Sequence, residues 1–255
     1  MSRIFITGSA DGLGLMAAEW LRARGHALVL HARNEARAAT LRQRTGLPVV
    51  VGDVLTLAGM HATAEAANAR GPFDAVIHNV AVGYREPRRL STEDGWAHVF
   101  AVNVMAPYVL TACMPKPARL VYLSSGLHHG ADLDLDDLNW TRRPWQGGTP
   151  AYAESKLLDA MLAFAVARRW PQVRANAMEP GWVPTRMGGP AATDDLAQGH
   201  LTQAWLAEGT DPATHASGSY FYHLRPRAAD PRTHDTHWQD QLLARCEALA
   251  GVALR

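Results

Sequence analysis

Short apolar runs and longer segments of helical pattern alternate along most of this chain of 255 residues. Within each run the apolar residues are mostly consecutive, a pattern typical of strands buried on both faces of a sheet. Strands that alternate with helices in this way are usually parallel and joined by crossover helices. The runs are RIFIT, ALVLH, PVVVG, FDAVIHN, ARLVYLSS and VRANAME. The sequence therefore predicts one α/β domain over residues 1–255, with a doubly wound, mainly parallel sheet and helices on both faces.

The periodicity also predicts the helices and leaves two long segments outside the alternation. Helices are predicted at residues 12–24, 34–44, 57–70, 91–113, 151–170 and 240–250, and a last strand at 217–223. Residues 126–150 and 188–214 are rich in Gly, Pro and Asp and are too long for ordinary connections. We expect both segments to shape a substrate pocket at the carboxyl ends of the strands.

The second long segment contains a short amphipathic pattern. Its apolar positions are Leu196, Leu201, Trp205 and Leu206. We interpret residues 188–214 as a lid over an apolar substrate, because closure excludes water from the reaction. A fixed surface helix is the alternative interpretation.

The composition argues against several classes of partner. Lys and Arg number 25 against 24 Asp and Glu, so the net charge of +1 gives no reason to expect nucleic acid or an anionic membrane surface as a partner. No stretch approaches the roughly 20 apolar residues of a spanning helix, so no membrane insertion is expected. The two distant cysteines, Cys113 and Cys246, fit a reducing compartment, and we expect a cytoplasmic protein. The 12 histidines lack metal-ligand spacing, so no metal site is predicted.

A glycine-rich turn, TGSADGLG, links the first predicted strand to the first helix. A helix N-terminus offers unpaired amides and a positive dipole end to a pyrophosphate, and glycine lets the backbone approach the ligand closely. A spaced glycine triplet also fits a plain strand-to-helix turn, but the strand–helix–strand context favours a dinucleotide. The cofactor-binding candidates in this turn are Gly8, Ser9, Asp11, Gly12, Leu13 and Gly14.

The end of the second strand bears on the choice between NADP(H) and NAD(H). An acidic residue there binds the ribose hydroxyls, whereas a basic one accepts the extra phosphate. Arg33 occupies this position and favours NADP(H), and a solvated arginine at the start of a helix is the alternative for this residue. Asp11 nearby opposes a phosphate and leaves NAD(H) as the alternative cofactor. Asp53 follows the third strand and is predicted to accept from the adenine amino group, with Val54 beside the ring. Capping of the next helix is the alternative role for Asp53.

The segment AYAESK places a phenol and an ammonium four residues apart. On a helix, Tyr152 and Lys156 project from one face about one turn apart. A nearby cation favours the phenolate and lowers the pKa of a tyrosine. The pair therefore indicates proton transfer at Tyr152. A tyrosine that only packs in the core is the alternative.

Taken together, these motifs resemble the short-chain dehydrogenase/reductase family, which has a Rossmann fold and catalyses NAD(P)-dependent oxidation and reduction. The resemblance covers residues 3–187 and includes TGSADGLG, Asp53, IHNVA, VNVMAPY, LVYLSS, the Tyr152 and Lys156 pair, and PGWVPT. The wide separation of the serine and the tyrosine, together with LSSGLHHG and DLDDLNW, is similar to the retinol-dehydrogenase-like and ketoreductase branch.

The resemblance implies roles for the catalytic candidates. Tyr152 exchanges the proton, and Ser125 donates a hydrogen bond to the developing oxyanion, with Ser124 as the alternative serine. Lys156 lowers the pKa of Tyr152 and holds the nicotinamide ribose. Asn103 is implied to organise a water that connects Lys156 to solvent, and a helix residue that only satisfies a strand edge is the alternative.

The resemblance also places the nicotinamide. Thr185 is expected to reach its carboxamide. The backbone floor beneath the ring is expected at Pro180, Gly181 and Val183. In IHNVA, Asn79 and Ala81 are expected beside the cofactor, where bulkier residues than the family's replace its Asn-Asn-Ala-Gly pattern.

We therefore expect an NADPH-preferring reductase that converts a ketone or aldehyde into an alcohol, or the reverse. A non-catalytic nucleotide-binding sensor is the alternative. Aromatic rings in the loops suggest a small-molecule substrate that is itself aromatic or polycyclic. These side chains are His128, His129, Trp140, Trp145, Trp182 and Tyr84. The predicted helix at 151–170 is more apolar than one core face requires, which suggests a homodimer or homotetramer.

Overall fold

The computed structural model describes residues 1–254, in which eight strands form one sheet. The strands are β1 (Arg3–Ile6), β2 (Ala27–Ala32), β3 (Val49–Val51), β4 (Ala75–His78), β5 (Arg119–Leu123), β6 (Arg174–Glu179), β7 (Tyr220–Tyr222) and β8 (Arg225–Arg227). Their order across the sheet is β3-β2-β1-β4-β5-β6-β7-β8, and only the β7–β8 pair is antiparallel. The predicted doubly wound, mainly parallel sheet is confirmed, and its order reverses between β1 and β4, where such folds form a cleft.

Helices cover both faces of this sheet. They are α1 (Gly12–Ala23), α2 (Glu35–Thr45), α3 (Leu57–Asn68), α4 (His98–Phe100), α5 (Ala106–Cys113), α6 (Thr149–Arg169), α7 (Leu196–Gly199), α8 (Leu201–Glu208) and α9 (Thr236–Ala250). Helices α1, α2 and α8 pack on one face, and α3, α5 and α6 pack on the other. A π turn at Ala101–Met105 joins α4 to α5.

Two predicted helix starts are wrong. The helix predicted from residue 91 begins at His98, because residues 91–97 form a turn closed by a bridge between Ser91 and Ala97. The closing helix begins at Thr236 rather than at residue 240. The Asp235 carboxylate caps it by accepting from His237 N at 2.8 Å.

The predicted last strand at 217–223 is half of a hairpin. Strand β7 is followed by β8, and the turn residues His223 and Leu224 have φ values of 46° and 64°. A two-residue hairpin turn of this hand is usually marked by Asn or Gly, so the sequence carries no clear signal for β8.

The segment predicted as a lid or a surface helix contains α8, whose side chains are mostly buried in the core. Trp205 and Leu206 on α8 are 8% and 2% exposed and pack against the sheet beside α1. Both alternatives are therefore wrong for α8, because its apolar face is needed to cover the sheet. A lid role for the preceding loop stays a prediction.

Helix α6 has no exposed face over residues 151–166, all of which are buried. Helix α9 and the turn Pro231–His234 pack against it. The homodimer or homotetramer was predicted from the apolar surface of α6. The C-terminal segment of the same chain covers that surface. Among residues 1–254, no helix combines the length and apolar character needed to cross a bilayer.

Candidate active site

A cleft of about 460 Å³ opens at the carboxyl ends of the central strands. It brings together predicted residues from distant parts of the chain. These are Leu13, Ser125, Tyr152, Pro180, Gly181, Val183 and Thr185. We call the region around the glycine turn and Arg33 the adenosine end, and the region around Tyr152, Glu179 and Trp182 the substrate end.

The glycines of the turn are required by its geometry. Gly8 and Gly12 have φ values of +61° and +53°, which L side chains rarely adopt. A Cβ at Gly14 would lie 2.5 Å from Asn79 Nδ2 and 2.7 Å from Gly8 O. A Cβ at Gly12 would meet nothing within 4 Å. The turn is therefore closely packed at Gly14, where it faces the protein, and open at Gly12. This shape fits a pyrophosphate lying against the backbone.

His31 supports the turn from below, a role that its place in an apolar strand did not reveal. Its Nδ1 accepts from Gly8 N at 3.0 Å, so the neutral ring carries its proton on Nε2 and donates to Gly52 O at 2.8 Å. Burial lowers the pKa of His31 and maintains this neutral form. The ring thereby ties the turn to the end of β3.

The side chains of Ser9 and Asn79 hold the glycine turn together. Ser9 Oγ donates to Ile6 O at 2.9 Å and accepts from His31 N at 2.8 Å. Asn79 Nδ2 donates to Thr7 O and Gly8 O, both at 3.0 Å. A contact of Ser9 or Asn79 with the cofactor stays a prediction.

Asp11 precedes α1 without capping it. Its carboxylate accepts from Arg37 at 2.7 Å and lies 3.3 Å from Arg186. The first amides of α1 are therefore left without a side-chain acceptor, as a phosphate site requires. Arg33 lies exposed nearby at the end of β2. Sequence reasoning missed Arg37 and Arg186, which offset the negative charge of Asp11.

Asp53 does not cap α3. Thr56 does so, by accepting from Gly59 N at 3.1 Å. Asp53 Oδ1 accepts from Leu55 N at 3.1 Å and the residue is exposed at the end of β3, while Val54 is buried. The capping alternative is wrong, and the contact of Asp53 and Val54 with adenine stays a prediction. Ala81 lies in the loop after β4 and is partly exposed.

Tyr152 and Ser125 face each other across the substrate end. Tyr152 OH lies 3.9 Å from Met187 Sδ, and its ring meets the edge of Tyr84 at a centroid distance of 5.6 Å. Ser125 Oγ accepts a long hydrogen bond of 3.3 Å from Leu127 N. Ser124, by contrast, is buried and donates to Lys156 O at 2.7 Å. Both serines line the cleft, and Ser125 as the serine that contacts substrate stays a prediction.

The Lys156 ammonium is bound inside the protein. Its Nζ donates to Leu123 O at 2.7 Å and to Asp159 Oδ2 at 2.8 Å, and it lies 5.7 Å from the centroid of the Tyr152 ring. Burial raises the pKa of Tyr152 above its ordinary value, and Lys156 opposes that rise only in part. The lowering of this pKa that was expected from Lys156 is present, but burial outweighs it. Asp159 interrupts the largely apolar run KLLDAML, and an acidic residue at such a position is the sequence signal for this ion pair that was overlooked.

Asn103 lies in the π turn and holds the loop after β4. Its Oδ1 accepts from Val82 N at 2.8 Å, and its Nδ2 donates to Val82 O at 3.0 Å and to Ser155 Oγ at 2.9 Å. These side-chain bonds go to Val82 and Ser155, not to Lys156. A water link between Asn103 and Lys156 stays a prediction.

An ion pair that sequence reasoning did not foresee forms one wall of the substrate end. Glu179 is buried at the end of β6 and its Oε1 lies 2.6 Å from Arg227 Nη1 on β8. Burial raises the pKa of Glu179, and Arg227 opposes the rise. A Cβ at Gly126 would lie 2.5 Å from Glu179 Oε2, so the carboxylate is tightly enclosed.

Only part of the expected aromatic mouth is present. Tyr84 and Trp182 line the cleft. Trp140 donates instead to the buried Glu154 at 2.6 Å, and Trp145 donates to Glu86 O at 2.7 Å. His128 stacks on Tyr220 behind the site. The long 126–150 segment thus uses most of its rings for its own packing, and His129 is exposed outside the cleft lining.

The chain is similar over its full length to known oxidoreductases. Residues 8–221 match a family model described as enoyl-(acyl carrier protein) reductase. An uncharacterized oxidoreductase of Emericella nidulans is 41% identical over 100% of this chain and 99% of its own length. A short-chain dehydrogenase of Gibberella zeae is 40% identical over the same shares, 100% and 99%.

A solved structure shows the same fold. An uncharacterized protein from Mycobacterium Paratuberculosis superposes with a TM-score of 0.85 and 24% identity, covering 100% of this chain and 95% of that chain. The shared fold thus extends over the whole chain.

Proposed function

Because the chain belongs to the short-chain dehydrogenase/reductase family of NAD(P)-dependent oxidoreductases, we propose that it reduces a ketone or aldehyde to an alcohol, or catalyses the reverse, with NADP(H). The observation that carries this proposal is that Ser125 and Tyr152 share one cleft with Pro180, Gly181, Val183 and Thr185. A bound nicotinamide cofactor supplies or accepts the hydride. The protein contributes the proton and stabilises the developing charge.

The two hydroxyl groups have separate roles. A carbonyl oxygen that becomes an alcohol needs a proton and a hydrogen bond while negative charge develops on it. Tyr152 donates the proton, and Ser125 Oγ donates the hydrogen bond. Since burial raises the pKa of Tyr152, its hydroxyl stays protonated and ready for reduction. The reverse reaction needs the phenolate, which the Lys156 ammonium favours.

The preference for NADP(H) rests on the charges at the adenosine end. Arg33, Arg37 and Arg186 bring three positive charges to this region, against the negative charges of Asp11 and Asp53. A phosphate on the adenosine ribose would form charge-assisted hydrogen bonds with such a cluster. Asp11, held by Arg37, then no longer opposes the phosphate.

The remaining cofactor contacts are proposed from the glycine turn and the lining of the cleft. The amides of Gly12, Leu13 and Gly14 would hold the pyrophosphate at the start of α1. The nicotinamide would lie against Pro180, Gly181, Val183 and Thr185, and Lys156 would reach its ribose with the one ammonium hydrogen that Leu123 and Asp159 leave free.

The substrate that we propose is a small, largely apolar carbonyl compound or alcohol with an aromatic ring. Tyr84, Trp182, Met187 and Leu127 line the substrate end, and the last three are each more than a third exposed. Apolar rings that pack against such side chains lose contact with water, which favours binding.

The first test is NADPH oxidation with a panel of aromatic ketones, aldehydes and quinones, together with an enoyl thioester. We expect turnover of at least one carbonyl compound. Turnover of the thioester alone contradicts the proposed reaction, and cofactor binding without any turnover supports the alternative of a non-catalytic sensor.

Tyr152→Phe tests the proton donor. The variant keeps the ring and loses the proton, so kcat should fall by about 10²- to 10⁴-fold. Its NADPH affinity, measured by calorimetry, should stay close to that of the wild type. Tyr84→Phe is the matched control, because it removes a hydroxyl from the facing wall and should keep most of the turnover. Unchanged kcat in Tyr152→Phe would exclude the assigned mechanism.

A further inference from the structure

Helix α6 contains a buried ion pair directly beside the proposed proton donor. Lys156 Nζ lies 2.8 Å from Asp159 Oδ2, and the two side chains are only 2% and 5% exposed. Leu123 O accepts a second hydrogen from the same ammonium at 2.7 Å. An isolated charge at such depth would be very costly, so each partner offsets the cost of burying the other.

The spacing along the helix places three polar groups on one side. Tyr152, Lys156 and Asp159 stand at positions i, i+4 and i+7, which share a helix face. The ammonium is 5.7 Å from the centroid of the Tyr152 ring but only 2.8 Å from the carboxylate. A cation with its counter-charge so close acts on a more distant hydroxyl as a weak dipole rather than as a full charge.

We propose that Asp159 is a positioning residue for the catalytic pair: its carboxylate holds the Lys156 ammonium in place and offsets the positive charge that reaches Tyr152. This inference rests on the proposed role of Tyr152 as the proton donor. Its consequence is that the Tyr152 hydroxyl stays protonated over a wider range of pH. Asp159 thereby favours reduction, which needs the phenol, over oxidation, which needs the phenolate.

The electrostatics of the site agree with this geometry. Burial, the largest influence, raises the pKa of Tyr152, Lys156 lowers it, and Asp159 raises it again. Burial also raises the pKa of Asp159 to about 6, although Lys156 pulls it down. The carboxylate is therefore charged at neutral pH and above, where Tyr152 acts.

Other titratable groups face these three residues. Tyr84, from the loop after β4, and Tyr220, from β7, face Tyr152, and Tyr122, from β5, faces Asp159. Burial raises the pKa of both Tyr122 and Tyr220, so these two phenols stay neutral where Tyr152 is tested.

Asp159→Asn removes the charge with almost no change of shape. The measurement is an ultraviolet absorbance titration of the phenolate in protein without added cofactor, from which the same titration in a Tyr152→Phe background is subtracted. We expect the midpoint of Tyr152 to fall by about one pH unit or more. The pH midpoint of turnover should move in the same direction. An unchanged phenolate midpoint overturns the proposal.

Glu154→Gln is the matched control. Glu154 lies on the same helix, is 2% exposed and pairs with Arg143 at 2.8 Å, but it faces the 126–150 segment. It should leave the Tyr152 midpoint where it is, and an equal shift in both variants overturns a specific role for Asp159. Asp159→Glu keeps the charge and should restore a midpoint close to that of the wild type.

A substitute variant and a readout that does not depend on turnover complete the test of Asp159. If Asp159→Asn does not fold, Asp159→Ser takes its place with the same expected shift. The titration needs neither cofactor nor substrate, so it is independent of turnover. A wild type that reduces no carbonyl compound overturns the proposed function, whereas an unshifted phenolate overturns only the role of Asp159.

Discussion

The two ends of the cleft carry their charges in different ways. At the adenosine end, Asp11 is half exposed and its partners Arg37 and Arg186 reach it from the surface. At the substrate end, the carboxylates of Glu179 and Asp159 are buried, and each is held by one cation. Exposed charges are screened by water and can change ligand preference at little cost to folding. Buried charges couple the chemistry of the site to the stability of the fold.

Replacing Arg37 with alanine tests whether the adenosine end acts on ligand preference alone. The variant removes one cation and frees Asp11 to repel a ribose phosphate. We expect the Kd for NADPH, measured by calorimetry, to rise about tenfold, with little change for NADH.

Arg42→Ala is the control for that change, since Arg42 lies on the same helix and pairs with Glu35. It should leave both affinities unaltered. Equal weakening of NADPH and NADH binding in Arg37→Ala would show that Arg37 holds the turn rather than the phosphate.

Arg227→Met tests the coupling of charge and stability at the substrate end. The variant leaves the Glu179 carboxylate buried without its cation, so its pKa should rise further. Because Arg227 is 47% exposed and screened by water, we expect a loss of only about 1 kcal/mol in the free energy of unfolding.

The sign of the pH dependence distinguishes this mechanism from lost packing. A carboxyl group with a raised pKa binds its proton more tightly in the folded protein, so stability falls as pH rises through that pKa. Urea unfolding of Arg227→Met should therefore show a larger loss at neutral than at acid pH. Arg225→Met, on the same strand, is the control, and a loss independent of pH would contradict the role of charge.

At neutral pH the smallest effect is expected at His31, because its contribution appears only in acid. Burial lowers the pKa of His31 from 6.5, so in mild acid its imidazole binds a proton in the unfolded chain but stays neutral in the folded protein. Stability should therefore decline as pH falls below about 6.5, by at most about 1.4 kcal/mol per pH unit for one proton.

His31→Gln should remove that part of the decline, as measured by unfolding at several pH values. His78, whose pKa burial lowers to about 3, contributes with the same sign and is retained in the variant. An unaltered slope in His31→Gln would mean that protonation of His31 does not limit stability in acid.

Much of the adenosine end could be predicted because its determinants are close in sequence. A buried strand, a turn that needs glycine at Gly8 and Gly14, and a helix follow one another within residues 3–23. The side-chain bonds of Ser9 and Asn79 could not be predicted, since they depend on how β1, β2 and β4 align. Both residues were predicted as cofactor contacts, and the sequence did not reveal that their side chains also hold the turn.

The substrate end was harder to predict because its contacts join distant residues. Glu179 and Arg227 are 48 positions apart and meet through a hairpin whose turn lacks the usual Asn or Gly. The amphipathic pattern near Trp205 was visible, but periodicity does not say which surface a helix covers. The burial that raises the pKa of Tyr152 is likewise a property of the packed molecule.

By itself, the sequence determined the alternating fold, the glycine turn, the spacing of Tyr152 and Lys156 and the family to which the chain belongs. These features depend on residue types a few positions apart, whose backbone preferences and periodicity act locally. Only the tertiary structure decided that Asp159 holds Lys156, that Arg37 neutralises Asp11, and that α9 covers α6. Burial and charge pairing depend on which surfaces meet when the whole chain packs, and local sequence patterns do not specify that meeting.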